Sequence, residues 1–260
     1  MRTPLCSLLL LAAAPVHAQL VIRSGSGADA ASVAAVRDQF RADLGGGTTA
    51  GSNGSFGGLR REINWDGVPA TAAAPNALPA NFFNVYSPRG VVFSTPGTSF
   101  QVSGATTDFG AGQPAEPRFG NINLAYTTTF QAFSPQRLFS PLGSNVFDVQ
   151  FFVAGTTTPA AVKGFGLVVA DVDLTSSTVT FFGSGNVSLG TFALPAFNGG
   201  FSFLGGSVGP GQAGITRVRV VLGNAAVGPN DGALDIVVAD DFIYSEPVEL
   251  PIFRDGFEGA

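Results

Sequence analysis

Residues 236–244 read IVVADDFIY, and no other stretch limits the possible folds as tightly. Val, Ile, Phe and Tyr suit the pleated surface of a β-strand. Side chains alternate along a strand. Ile236, Val238, Asp240, Phe242 and Tyr244 are therefore expected on one face, and Val237, Ala239, Asp241 and Ile243 on the other. Neither face is polar, which predicts a central strand covered on both sides. An unpaired ionised carboxylate in such surroundings costs several kcal/mol. At least one of Asp240 and Asp241 therefore needs a partner: a cation, an arginine such as Arg217 or Arg219, or backbone N–H groups of a neighbouring loop. The other solution is a strand that frays there and lets both acids meet water.

The beginning of the chain narrows the available chemistry. Residues 1–18 have the pattern of a secretory signal: Arg2 at the start, an apolar segment over residues 5–15, and a small-residue end at Val16-His17-Ala18. The apolar segment is too short to span a bilayer, and no later apolar run reaches spanning length. Cys6 and His17 are the single cysteine and histidine, and both fall within this signal. A chain cleaved after Ala18 has no disulfide, no Cys/His zinc site and no Ser-His-Asp triad. Any metal site must then be built from oxygen. The net charge of −5 argues against nucleic acid, which calls for a basic stripe. The expected location is outside the cytoplasm: extracellular, at the cell surface or in the periplasm.

Taken in order, residues 19–27 read as a short flexible lead. Residues 28–44 read as the one convincing helix, with Asp29 as cap, Val33, Val36, Phe40 and Leu44 at helical spacing, and Gly45-Gly46-Gly47 as the stop. A Gly/Ser-rich loop runs to residue 58. Short alternating segments follow at 60–66, 82–86, 91–93, 100–103, 122–126, 147–153, 165–172, 179–182, 189–194, 201–204 and 215–222. About ten strands at this spacing, with one helix, predict an all-β, two-sheet β-sandwich of jelly-roll type. The domain plan is a signal at 1–18, helix and Gly-rich loop at 19–58, sandwich at 59–247, and a tail at 248–260.

Three blocks occur in a set order: RREINWDGVP, then GFGLVVADVDL with SLGTFALP, then VVADDFIYSEP. Together they resemble a family of uncharacterised secreted bacterial proteins, which implies export and fold more than mechanism. The FRDGFE ending resembles a short C-terminal tail found on exported proteins of Gram-negative bacteria. A last strand with Asp-Asp before an apolar residue resembles jelly-roll carbohydrate-binding and adhesion modules. In some of those an acid at that place holds a structural Ca²⁺. That resemblance implies Ca²⁺ at Asp240 and Asp241, to which Asp171, Asp173 and Asp231 add candidate oxygen ligands.

The leading expectation is a secreted, non-catalytic module that binds a glycan or a cell-surface polymer, with Ca²⁺ as its one cofactor. Its candidate ligand face is Glu62, Asn64, Trp65 and Asp66. Trp65, the single tryptophan, is either a core anchor or a sugar-stacking platform. A carboxylate-dependent glycoside hydrolase is one alternative and a structural matrix protein another. Hydrolysis needs carboxyls about 5–5.5 or 6.5–9.5 Å apart. Glu62 and Asp66, four residues apart on one strand, would have Cα atoms roughly 13 Å apart.

Overall fold

A computed structural model describes residues 20–47, 53–55, 57–106, 109–110, 113–114, 116–212, 214–229 and 234–250. Residues 1–19, which include the expected signal, Asp231 and the tail beyond Leu250 lie outside the described residues. In chain order, the strands of the two main sheets are β1 (Leu20–Gly27), β2 (Arg60–Ile63), β3 (Val91–Ser94), β4 (Ser99–Val102), β5 (Phe139–Leu142), β6 (Val146–Phe151), β7 (Gly164–Val172), β8 (Thr178–Phe182), β9 (Ser188–Ala193), β10 (Phe197–Val208), β11 (Arg217–Val221) and β12 (Val238–Ser245). One sheet runs β1-β10-β7-β12-β5-β4, with β2 also alongside β12; the other runs β9-β8-β11-β6-β3. Their pairings are antiparallel.

This is the expected two-sheet sandwich, and its order is that of a jelly roll. The chain passes between the sheets as β5 to β6, β7 to β8, β9 to β10 and β11 to β12. The fourth pass lies between the first and the second, which is the jelly-roll interleaving. β3 and β4 form a further pass outside the first, and β1 extends the larger sheet beyond β10.

Alternation accounts for the strands of the smaller sheet. In β6, Phe147, Val149 and Phe151 face in while Asp148 and Gln150 face out. In β11, Val218 and Val220 face in, opposite Phe181, Val179, Val149 and Phe147. Arg217 and Arg219 are on the outer face, where both guanidiniums reach Asp148 at 2.8–3.1 Å. Their placement on the other sheet's outer face is why neither arginine pairs with Asp240 or Asp241. β7 is buried along its whole length, as its two apolar faces predict.

Two apolar layers cover the larger sheet. Between the sheets, Trp65, Phe93, Phe139, Phe147 and Phe242 form one aromatic cluster; Trp65 stacks on Phe139 with centroids 4.3 Å apart. Each fully buried ring of this kind stabilises the fold by about 1.5–3 kcal/mol. On the far side lie Val33, Phe40, Phe119, Tyr126, Phe130, Val168, Phe203 and Ile243. Here the helix α1 (Ala30–Asp43) lies over the sheet. Asp29 caps it, accepting the Ser32 N–H at 2.9 Å. Gly45 and Gly46 end it with positive φ and donate back to Ala42 and Arg41.

Three segments differ from expectation. Residues 20–27 form β1, hydrogen-bonded along β10 from Leu20↔Val208 to Gly27↔Phe201. The Ser-Gly-Ser-Gly sequence hides this strand. Its small side chains are what the overlying helix requires, since a Cβ at Gly25 would come within 3.0 Å of Val36. Residues 82–85 form a short helix, α2 (Phe82–Val85), in place of a strand, and both Phe82 and Phe83 are buried. Residues 119–125 are turns leading into α3 (Tyr126–Thr129), with Leu124 68% exposed. Asn123 Oδ1 there takes the Ala125 N–H at 3.0 Å, a local bond that competes with strand pairing.

The helix approaches so closely because the sheet beneath it is floored with glycine. A Cβ at Gly205 would sit 2.7 Å from the Phe40 ring, and one at Gly166 2.8 Å from it. Gly205→Ala is therefore expected to cost about 1–3 kcal/mol, read as a lower denaturant midpoint. An unchanged midpoint would show that the helix lifts away without penalty.

Candidate functional site

The two aspartates sit where β12 breaks register. Leu167 of β7 pairs with Phe242 and Val169 pairs with Ala239, so Asp240 and Asp241 together stand opposite Val168. This is a β-bulge, with two residues on one strand facing one on its partner. The strict alternation expected along 236–244 is thereby corrected. Val237 and Ala239 face the sandwich interior, but so do Phe242 and Tyr244, while Ile236, Val238 and Ile243 face the outer layer. The bulge brings both acids to one place, the loop ahead of β5.

There the carboxyls share a hydroxyl. Ser134 Oγ lies 3.0 Å from Asp240 Oδ1 and 2.7 Å from Asp241 Oδ1, and the Phe133 N–H donates to Asp240 Oδ2 at 2.6 Å. A hydroxyl has one proton to donate. With both acids ionised, one of the two contacts at Ser134 would be oxygen lone pair against lone pair. Burial first, and the Asp241 charge second, push Asp240 well above the ordinary carboxylate range. Asp241 is also raised, mainly by burial. The neighbouring Asp241 carboxyl adds to the rise at Asp240. Among the partners considered from sequence, backbone N–H of a neighbouring loop is one found here, with a hydroxyl beside it.

The RREINWDGV block meets the same place. Trp65 has a left-handed φ of 68°, so alternation stops at the end of β2. Its indole turns inward, 1% exposed, and donates to the Asp240 carbonyl at 2.6 Å. That corrects the sugar-platform alternative: Trp65 is a core anchor, held by Phe83, Phe139 and Phe242. Glu62 lies between Arg41, at 2.6 and 2.8 Å, and Arg60, at 2.8 Å. Asn64 is exposed and donates to Asp66 at 3.2 Å. Asp66 accepts the Arg137 N–H at 3.2 Å and is raised by burial first and by the Asp241 charge. The four proposed ligand-face residues therefore do not form a face.

The metal candidates separate as well. Asp171 accepts the Gly199 N–H at 2.7 Å, at the end of β7. The N–H groups of Asp173 and Leu174 donate to Asp235, and Ser176 Oγ does so at 3.0 Å. Asp171 and Asp173 are both raised, by burial first and then by neighbouring acids. Among the described residues, no three acidic side chains converge as a metal ion would require. Asp235 escaped sequence reasoning because the Pro-Asn-Asp-Gly turn before it drew attention to Asp231 instead.

A hollow of about 420 Å³ opens beside this region, lined by Asn64, Trp65, Phe82, Phe83, Tyr86 and Arg89 among others. Tyr86 is 65% exposed and stacks on Phe82, with centroids 5.7 Å apart. Neither Tyr86 nor Arg89 stood out in the sequence, where residues 87–90 read only as a connecting turn. A second hollow of about 780 Å³, lined by Leu44, Leu59, Val162, Val208 and Leu250 among others, carries no aromatic wall.

Comparisons of the chain with protein-family models, curated proteins and solved structures found no match.

An acid raised on folding binds more protons in the native than in the unfolded state. Stability then falls as pH climbs above the ordinary value of 3.8, and levels off beyond the folded pKa. Asp240→Asn keeps an acceptor for Phe133 and a donor for Asp241, but has no proton to lose. The decline of melting temperature between about pH 4 and pH 8 is expected to be shallower in this variant than in the parent. Parallel curves would show that Asp240 stays ionised.

Proposed function

We propose that this chain is an exported, non-catalytic jelly-roll module that binds a glycan or surface polymer in the hollow beside Trp65. The observation that carries the reading is Tyr86, a largely exposed ring backed by Phe82 at the mouth of that hollow. An exposed aromatic held in place by a second ring offers an apolar face for the C–H surface of a sugar, and loses little freedom on binding. Asn64 lines the same hollow and is exposed, with an amide to meet hydroxyl groups. About 420 Å³ lies near the low end of the roughly 300–1,000 Å³ of ligand sites, and fits a ligand of one or two rings.

The acids support a binding role over hydrolysis. Asp240 and Asp241 line neither hollow, and Glu62 is neutralised by two arginines. A general acid and a nucleophile must reach the scissile bond from opposite sides, and no acid lines the Tyr86 hollow. The Phe133 N–H and the Ser134 hydroxyl already give Asp240 hydrogen-bond partners from the chain itself.

The test is a panel of soluble polysaccharides screened by affinity electrophoresis, followed by calorimetry on those that retard the protein. Tyr86→Ala should weaken binding roughly tenfold, the loss expected from one stacked ring, without lowering the melting temperature. Equal affinity in parent and variant, or no retardation by any polymer, would overturn the reading.

A further inference from the structure

The same hollow contains a cation with no counter-ion. Arg41 and Arg60 pair with Glu62, Arg217 and Arg219 with Asp148, and Arg61 with Glu246. Arg89 has no such partner among the described residues. Its single side-chain acceptor is the Glu62 backbone carbonyl, 2.8 Å from Nη1. Its Nε is buried and has no hydrogen-bond partner. The charged group bearing on it is the Arg61 guanidinium, which repels. A buried donor left unmade costs about 1–3 kcal/mol, more when charged.

The backbone holds Arg89 firmly in this state. Its N–H donates to the Phe83 carbonyl at 2.7 Å, and its own carbonyl accepts from the Tyr244 hydroxyl at 3.1 Å. The guanidinium carbon lies 5.7 Å from the Phe83 ring centre, beside the aromatic wall of the hollow. With Nη1 taken, the remaining edge is the Nε–Nη2 side. That edge is the fork that meets a carboxylate with two parallel hydrogen bonds. A residue that is fixed, charged and unsatisfied at the wall of a cavity is arranged for a partner that the described residues do not supply.

We infer that the hollow selects a carboxylate-bearing sugar, a uronic acid unit of an acidic polysaccharide, with Arg89 as the group that receives the carboxylate. The inference rests on the glycan-binding reading and specifies its ligand class. Tyr86 takes the ring face, Asn64 the hydroxyls, and the Nε–Nη2 edge of Arg89 the charge. The ligand provides both the missing acceptor and the missing counter-charge.

The experiment compares oligogalacturonate with the same oligomer after full methyl esterification, which keeps the sugar and removes the charge. A sulfated galactan of similar length is the third probe. Calorimetry on the parent should show oligogalacturonate bound at least roughly tenfold more tightly than its ester, with the difference shrinking as salt is raised. Arg89→Gln should erase the preference, bringing acid and ester to equal affinity. Arg89→Lys, which keeps the charge without the fork, should retain part of it, and both variants are checked for melting temperature. Equal binding of acid and ester by the parent overturns the inference and leaves the glycan reading intact. Tighter binding of the sulfated galactan overturns the choice of carboxylate. Failure of all three probes alongside tight binding of an unrelated neutral glycan overturns the acidic ligand alone, and failure of every glycan overturns both.

Discussion

One extra residue in the central strand shapes the rest of the molecule. The bulge at Asp240 and Asp241 lets β12 contribute Val237, Ala239, Phe242 and Tyr244 to the sandwich interior while both acids leave for the other layer. The Trp65 indole, bonded to the Asp240 carbonyl, ties the segment after β2 to that bulge. Loop residues Phe133 and Ser134 close over the carboxyls from outside. Sheet, aromatic interior and covering loop are thereby keyed to the same two residues. Buried polar groups that are fully satisfied tend to specify one arrangement over its neighbours. Here a slip of one residue along β12 would strand both acids.

Carboxylates on this protein are neutralised in three physically different ways. Glu62, Asp148 and Glu246 use guanidinium groups. Asp171 and Asp235 use backbone N–H groups at strand ends. Asp240 uses a loop N–H and a hydroxyl, and burial raises it above the ordinary carboxylate range. A chain with 12% charged residues has few charges to spare, so each one that is buried is matched. Arg89 departs from this economy, and the departure coincides with a cavity and an exposed ring.

Much of the architecture was readable because it rests on periodicity. Phe147, Val149 and Phe151, or Val218 and Val220, announce their strands through alternation, and Val33 and Phe40 announce their helix. β1 was not readable, since its glycines and serines are chosen by the helix above it rather than by pairing. α2 was not readable either: Phe82 and Phe83 are adjacent and both buried, a pattern that short helices and inner strands share. At the site, the need for a partner at Asp240 followed from burial alone. Its identity did not, because Ser134 is distant in sequence and a bulge leaves no mark in a string of apolar residues. Tyr86 and Arg89 were missed for a related reason. What distinguishes them is what surrounds them in space.

The last pass of the chain lies between the first two, so β12 has β7 on one side and β2 and β5 on the other. A chain emerging amino end first presents all its other main strands before that one arrives. Until then the larger sheet lacks its centre: β7 has no neighbour toward β5, and the aromatic interior lacks Phe242. Closure of the larger sheet must therefore await the final stretch of sequence.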